Sequence, residues 1–274
     1  MKFKRLLSAA PVYLVLTLGL VVVAYPFFFM VMNSFKPGME ILHYPNRLPS
    51  HWTIRGYVEV FRQLNILRLF GNTLFVAVSV TVLTVFTNSM VAYALAKLRF
   101  PGRDQMFSVM LASMMIPGIL LLVPSYMMMY SWGWVNTYKP LILPGAVGAF
   151  NIFLIRQFMG EIPDAFLEAA RLDGANEWQI LWRIIFPMSG PVLSTVAILT
   201  FMGSWNDLFG PLLWLRDDRL YTLQLGLQRF QTQIPGEFAE QRWAATTLVT
   251  VPIVILFLFL QRSFIKAFTN VGLK

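Results

Sequence analysis

The chain lacks cysteine, has only two histidines and carries few charges, since Asp, Glu, Lys and Arg together make up 13% of its 274 residues. Without cysteine it can form neither a disulfide nor a thiolate metal site. His43 and His51 share one polar stretch and offer little to a histidine-based metal centre. A soluble domain averages about 25% charged residues. This shortfall, with 57% hydrophobic residues, excludes a disordered chain and argues against a soluble enzyme.

Long charge-free runs dominate the sequence instead. A bilayer core about 30 Å thick needs about 20 apolar residues for each helical span, and a charge at its centre costs at least about 2.5 kcal/mol. The chain is therefore predicted to be an all-α, polytopic membrane protein in which residues 1–274 form one transmembrane domain. Six spans are predicted, at residues 10–32, 73–95, 106–130, 138–158, 185–212 and 243–261.

Basic residues predict the orientation of these spans. The formal net charge is +9, and the basic residues lie between the apolar runs, as in loops at an anionic membrane surface rather than on one nucleic-acid-binding face. The short turn from Lys97 to Arg103 is rich in them, and short loops obey the positive-inside rule best. Both termini and residues 157–184 are therefore predicted to be cytoplasmic, and residues 33–72 and 213–242 external.

The inside loop at residues 161–187 has strong local signals. Pro163 and Asp164 suit the first turn of a helix, and Gly174 is a natural point for that helix to end. Asn176 can cap a second short helix that runs into the fifth span. The loop is predicted to form a helix, a glycine break and another helix.

The side chains of the first loop helix leave two interpretations open. Phe166, Ala169 and Ala170 are spaced i, i+3, i+4 and should share one face, while Glu168 and Arg171 can pair at i, i+3. Such a helix can lie in a groove on a partner protein. It can equally lie on the lipid surface as an interfacial helix.

A longer pattern includes this helix. Glu168–Ala170, three residues, Gly174, nine residues and then Ile184–Pro187 resembles the EAA loop of ABC importer permeases, written E-A-A-x3-G-x9-I-x-L-P. Phe186 stands in the Leu position, which is a mild apolar exchange. Asp173 before the glycine is usual in the sugar-importer branch of that family.

The resemblance extends over most of the chain, and the chain looks like the shorter permease of a heteromeric carbohydrate-uptake pair. The C-terminal run Thr269–Lys274 departs from the family pattern. The other segments that carry the resemblance are Asn72–Leu74, Ala92–Ala94, Phe100–Gly102, Pro117, Trp205–Asp207 and Gln261–Arg262.

The resemblance implies a function and a set of partners. Residues 161–187 would form a coupling loop whose helix docks in a cleft of a cytoplasmic ATPase. Two copies of that ATPase, with bound ATP and Mg, would drive alternating access, and this chain would hold no cofactor and would not be an enzyme. Its other partners would be a second permease, an extracytoplasmic solute-binding protein and membrane lipid, without nucleic acid. The residues implied in ATPase coupling are Phe166, Leu167, Glu168, Ala169, Ala170, Asp173, Gly174 and Pro187.

The implied permease would lie in the cytoplasmic (inner) membrane and translocate a sugar or related polyol. A P-loop needs a Gly-Lys dipeptide, and the sequence has none, so ATP hydrolysis is assigned to a partner. The alternative is an ion-coupled secondary carrier or a channel without an ATPase partner. A carrier would place ionisable groups within its spans. Apart from Lys139 and Arg156, which would snorkel from the ends of the fourth span, the only charged residue within the predicted spans is Asp207, at the edge of the fifth.

Four polar or aromatic residues are candidates for the solute path. A hydroxyl-rich neutral solute needs amide and hydroxyl partners and an aromatic face on which a sugar ring can stack, and Asp207 is the most deeply placed acid. Helix packing is the competing explanation for any intramembrane polar group. The candidates are Asn151, Trp205, Asn206 and Asp207.

Overall fold

The computed structural model describes residues 2–231 and 238–271, with side chains described for 12–231 and 238–255. Within these residues all regular structure is helical and no strand occurs, which confirms the all-α prediction. The chain divides into two compact units. The first comprises Met1–Ile66 and Leu227–Val254, and the second comprises Leu67–Gly226 and Ile255–Lys274.

The α-helices are numbered in the order in which they occur along the chain. The helices up to residue 161 are α1 (Lys2–Ser34), α2 (Gly38–His43), α3 (Arg55–Gln63), α4 (Ile66–Lys97), α5 (Arg103–Ser113), α6 (Leu122–Ser131), α7 (Lys139–Ile142) and α8 (Ala149–Glu161). Those that follow are α9 (Ala165–Leu172), α10 (Glu177–Ile180), α11 (Phe186–Met188), α12 (Gly190–Trp205), α13 (Phe209–Trp214), α14 (Leu223–Leu227) and α15 (Ala239–Val271). A π-helical segment, Leu181–Ile185, joins α10 to α11.

Three helical stretches are long and apolar enough to cross a membrane. They are Val12–Ser34, Ile66–Lys97 and Lys139–Glu161, and they coincide with the first, second and fourth predicted spans. The described residues reach five spans if two bent helix pairs each count as one. The predicted sixth span, 243–261, begins in α15, but its side chains beyond residue 255 lie outside the described residues, as do those of Lys2, Gln261 and Arg262.

The third predicted span is not one straight helix. Its two halves, Arg103–Ser113 and Gly118–Ser131, meet at an angle of 90°. The break falls at Pro117, which has no N–H to donate and disfavours helical geometry at Ile116. The apolar composition of residues 106–130 predicts a span but does not predict this bend.

The fifth predicted span is also interrupted. A bend of 79° separates Glu177–Met188 from Gly190–Trp205, and Pro191, which suits a first helical turn, lies where α12 restarts. The helix then ends at Trp205 rather than continuing to residue 212. The residues beyond it form a turn and the separate helix α13.

The apolar core of the second unit joins α4, α8, α9 and the segment that leads into α12. Its fully or nearly fully buried members include Ala92, Ile155, Leu167, Ile185 and Val196. Each fully buried Val, Leu or Ile contributes about 1.5–3 kcal/mol. This core holds α9 against the C-terminal end of α4.

In the first unit a buried lysine closes the turn after α1. The Lys36 side chain is fully buried, and its Nζ donates to the carbonyl oxygens of Tyr44, Pro45 and Arg47 at 3.1, 3.1 and 2.5 Å. Burial lowers the pKa of Lys36, and nearby Glu40 opposes that shift. These hydrogen bonds fix the start of the predicted external loop 33–72 because a buried ammonium must find acceptors.

Candidate functional site

Residues 161–187 fold into a short helix, a glycine turn and a second helix. The α9 helix ends in a Schellman motif, in which the N–H of Ala175 donates to Ala170 O and the N–H of Gly174 donates to Arg171 O. Gly174 has φ +82°, a conformation that glycine adopts without strain. Asn176 then caps α10 in a reciprocal capping box with Gln179.

The α9 helix has a buried side and an exposed side. Leu167 and Ala170 are 2% and 7% exposed and belong to the core. Phe166 and Leu172 are 49% and 89% exposed, and Ala169 is exposed between them. Phe166, Ala169 and Ala170 lie on one side of this helix, as their spacing predicts, but the edge of the core runs between Ala169 and Ala170, so only Ala170 is buried.

The remaining residues assigned to ATPase coupling also lie at the surface of this segment. Glu168, Asp173 and Gly174 are exposed, and Trp178 at the start of α10 adds an exposed ring. Pro187 is exposed but lies in α11, apart from α9 in sequence. The segment therefore presents apolar and acidic groups on the same outer surface.

Lys97, the last residue of α4, anchors the start of α9. Its Nζ donates to Asp164 Oδ1 at 2.6 Å and to Ile162 O at 2.5 Å, and its side chain is 4% exposed. The hydrogen bond from Lys97 lowers the pKa of the Asp164 carboxyl. Asp164 occupies the N-cap position of α9 but makes no capping hydrogen bond, because its carboxylate faces the lysine.

Tyr93, one turn earlier on α4, anchors the end of the α9 turn. Its hydroxyl donates to Glu177 Oε2 at 2.5 Å, and Arg171 Nε donates to Glu177 Oε1 at 2.9 Å. Arg171 thus pairs with Glu177 and not, as predicted, with Glu168. Sequence reasoning missed Tyr93 and Glu177 because the hydrogen bond between them spans 84 residues.

A cleft of about 510 Å³ lies between α9 and the turn after α4. It contains basic and acidic side chains, so it can receive a polar side chain of either sign. Its lining residues are Lys97, Leu98, Arg99, Phe100, Asp164, Leu167, Glu168, Arg171 and Glu177.

The four residues suggested for the solute path lie in different surroundings. Trp205 is 3% exposed and packs edge-on against Phe70 and face-on against Phe201, so a sugar ring cannot stack on it in this conformation. Asn206 donates to Met202 O of its own helix at 2.9 Å. Asn151 lies in the first turn of α8, and it is not among the residues that line the cavity next to Asp207.

Asp207 is the candidate that lies at a cavity, and the lining of this cavity combines polar and apolar side chains. The cavity has a volume of about 210 Å³ and includes Thr200, Ser204, Asp207 and Thr222 in its lining. Asp207 Oδ1 accepts from the N–H of Gly210 at 3.0 Å. The hydroxyl of Thr222 is buried and has no hydrogen-bond partner in the described part of the chain. A hydroxyl-bearing molecule in this cavity would find acceptors and donors.

Comparison with known proteins places the chain in a family. The model for "Binding-protein-dependent transport system inner membrane component" matches residues 88–270. The arabinooligosaccharides transport system permease protein AraQ of Halalkalibacterium halodurans is 34% identical, with 94% of this chain and 95% of AraQ covered. The diacetylchitobiose uptake system permease protein NgcG of Streptomyces coelicolor is 33% identical, with 93% of this chain and 85% of NgcG covered.

A solved structure agrees with the sequence matches. The chain resembles one chain of a bacterial ABC transporter involved in the import of the acidic polysaccharide alginate, with a TM-score of 0.81 and 25% identity over 96% of this chain and 98% of that chain. The region matched by the family model includes the whole segment 161–187. The chain therefore belongs to the binding-protein-dependent transport system inner membrane components, the permease subunits of ABC importers.

Proposed function

We propose that this permease carries a sugar or related polyol across the cytoplasmic membrane, and that α9 is the helix through which a partner ATPase drives it. The observation that carries the proposal is the outer surface of α9, where Phe166, Glu168 and Leu172 are exposed on a helix whose other side is fixed in the core. Phe166 near the start of the helix and Leu172 at its end are both exposed, which suits a helix that a partner covers along its length. ATP hydrolysis belongs to that partner.

Six crossings are part of the proposal. They are α1, α4, the bent pair of α5 and α6, α7 with α8, the bent segment Glu177–Trp205, and α15. The charge-free runs and the helix lengths support this count. The cluster of basic residues from Lys97 to Arg103 supports an orientation with α9 and both termini in the cytoplasm.

The proposed assembly contains this chain, a second permease, two copies of an ATPase that bind ATP and Mg, and an extracytoplasmic solute-binding protein. The family description, which names dependence on a binding protein, supports the last of these. Loops 33–72 and 213–242 are the proposed contact surfaces for it. The coupling set runs from Phe166 to Ala170 and continues with Asp173, Gly174 and Pro187.

The proposed solute is a carbohydrate because the relatives named above handle arabinooligosaccharides, diacetylchitobiose and alginate. The polar groups in the lining of the cavity at Asp207 support a contact between this chain and the solute, since a carboxylate and hydroxyls suit a polyol. Asp207 therefore replaces the wider set of Asn151, Trp205 and Asn206 as the residue for which a solute contact is proposed. An ATPase-independent carrier has no support from the family.

Affinity purification of the tagged chain in mild detergent tests this proposal. We expect an ATPase subunit, a second permease and a binding protein to co-purify, with ATP hydrolysis that rises when the binding protein is added. Carbohydrate released from that binding protein by denaturation would identify the solute. Purification of the chain alone, even after chemical cross-linking in the native membrane, would contradict the proposal.

A further inference from the structure

We propose that Tyr93 and Lys97 on α4, with Asp164, Arg171 and Glu177 around α9, form a clamp that makes α9 and the C-terminal end of α4 move as one body. This inference rests on the proposed function, because it assumes that the ATPase acts on α9. The five residues are positioning residues. In this proposal they transmit a displacement of α9 to the membrane-spanning helix α4.

The clamp grips α9 at both ends. Lys97 Nζ donates to Asp164 Oδ1 and to Ile162 O, just before the first residue of α9. The Tyr93 hydroxyl donates to the Glu177 carboxylate just beyond the glycine turn. The same carboxylate accepts a hydrogen bond from Arg171 in the last turn of α9. Tyr93 and Lys97 are spaced i, i+4, so they lie on the same face of α4.

The polar contacts add a constraint that apolar packing alone does not supply. Between the two grips, α9 touches the core through Leu167 and Ala170, and an apolar contact is non-directional. Hydrogen bonds to charged groups depend on distance and angle. Displacing α9 along α4 would break the bonds of Lys97 and of Tyr93 together and leave the Lys97 ammonium in a buried place without acceptors.

The segment proposed to change its conformation lies after the clamp, between α10 and α12. The chain continues from α10 into the π-helical segment Leu181–Ile185 and then bends by 79° before α12. A π-helical segment is an irregularity often found at functional positions, and the hydroxyl of Ser189 at the bend is buried without a partner in the described residues. A force on α9 therefore reaches α4 directly, while this bend absorbs the difference in motion toward α12.

Two substitutions at the clamp test the inference in the complete transporter complex. Tyr93→Phe removes one hydroxyl, and Lys97→Met removes the charge while keeping a long apolar side chain. Because the chain has no cysteine, Leu67→Cys at the far end of α4, which is 80% exposed, can report motion through its rate of reaction with a membrane-impermeant maleimide. The rate is compared with and without ATP and vanadate.

We expect the clamp variants to co-purify with the ATPase and to hydrolyse ATP, while the nucleotide-dependent change in labelling falls at least about fivefold, the low end of allosteric coupling. Lys97→Arg, which can still donate to Asp164, should restore the change. Arg103→Gln, which removes an ion pair with Asp104 outside the clamp, should leave it intact. An unchanged response in both Tyr93→Phe and Lys97→Met would overturn the inference.

A locked clamp gives the opposite test. Lys97→Cys with Asp164→Cys, joined by a short bifunctional thiol reagent, should retain ATP hydrolysis that the binding protein stimulates, since the two elements are proposed to move together. Loss of that stimulation would show that α9 must move against α4 and would overturn the clamp. Absence of any ATPase from the purified wild-type complex would instead refute the proposed function. If the Lys97→Met variant does not assemble with the ATPase, the labelling response of the Tyr93→Phe variant alone tests the inference.

Discussion

Arg171 ion-pairs with Glu177 at 2.9 Å, and this pairing directs the arginine away from Glu168, its expected neighbour on α9. The Glu168 carboxylate stays on the exposed outer surface of the helix, where Leu172 follows it at i+4. The acid that the EAA pattern singles out is therefore available to a partner, while Arg171 serves the attachment of α9 to the rest of the permease.

Reversing the charge at Glu168 should disrupt coupling without unfolding the permease. Exposed substitutions usually change the free energy of unfolding by no more than about 0.5 kcal/mol, so Glu168→Lys should insert and accumulate normally. We expect stimulation of ATP hydrolysis by the binding protein to be lost in the purified complex. Glu161→Lys, at an exposed acid at the end of α8, is the matched control, and an equal loss in both variants would count against a specific contact.

Gly174 tests whether the geometry of the turn matters. A residue other than glycine in the left-handed region costs about 1–2 kcal/mol, and Gly174 has φ +82° with open space around it. Gly174→Pro would also remove the N–H that donates to Arg171 O. We expect Gly174→Ala to weaken the ATPase stimulation and Gly174→Pro to abolish it.

Gly160 supplies the control for that series. A Cβ at Gly160 would also meet open space, and its φ is not in the left-handed region. Gly160→Ala should therefore leave ATPase stimulation unchanged. If Gly160→Ala and Gly174→Ala have the same effect, the conformation of the turn does not explain the role of Gly174.

The contact between Lys97 and Asp164 should depend on pH in acid only. The hydrogen bond from Lys97 lowers the pKa of Asp164 below its ordinary value of 3.8. A carboxyl with a depressed pKa contributes stability above its unfolded-state pKa and loses that contribution as the pH falls through the folded-state pKa. Asp164→Asn should thus lower the thermal unfolding midpoint of the purified permease by more at about pH 7 than at about pH 3, where the contribution has begun to be lost. Equal shifts at both pH values would contradict this.

Substitution of Asp207 should reduce transport more than it reduces assembly of the transporter complex. In Asp207→Asn the amide oxygen can still accept from the N–H of Gly210, so the turn after α12 is kept while the charge is lost. A hydrogen bond to a charged group is worth about 1.5–3 kcal/mol, so uptake should fall about tenfold or more. The measurement is uptake into proteoliposomes of the carbohydrate retained by the purified binding protein. Asn206→Ala, at a side chain that bonds its own helix, should transport normally, and equal uptake by both variants would remove Asp207 from the solute path.

The helices and the turn of the loop 161–187 could be predicted from the sequence because they depend on local hydrogen bonds. Gly174 and Asn176 act through hydrogen bonds to residues a few positions away, so the glycine break and the cap could be predicted from residue type. The attachment of α9 could not be predicted, because Lys97 and Asp164 are 67 residues apart. Only the packing of α8 and α9 against α4 brings them together.

The apolar amino-acid composition predicted where the chain crosses the membrane but not where the crossing helices bend. An apolar run does not distinguish a straight helix from one that bends at Pro117, since both bury the same side chains in lipid. The solute-path candidates show a similar limit. Trp205 and Asp207 are two residues apart, yet the ring packs into the core and the carboxylate lines a cavity, because α12 ends at Trp205 and Asp207 lies in the turn that follows.

The most direct test of the coupling role of α9 is a cross-link from its outer surface to the ATPase. Leu172→Cys places a thiol at the most exposed large apolar position of α9 in a chain that has no cysteine of its own. With a short cysteine-to-lysine reagent in native membranes, we expect a cross-linked product between this chain and the ATPase subunit, and none from Leu67→Cys on α4. A complex that contains the ATPase but shows no such product from Leu172→Cys would contradict the assignment of α9 as the coupling helix.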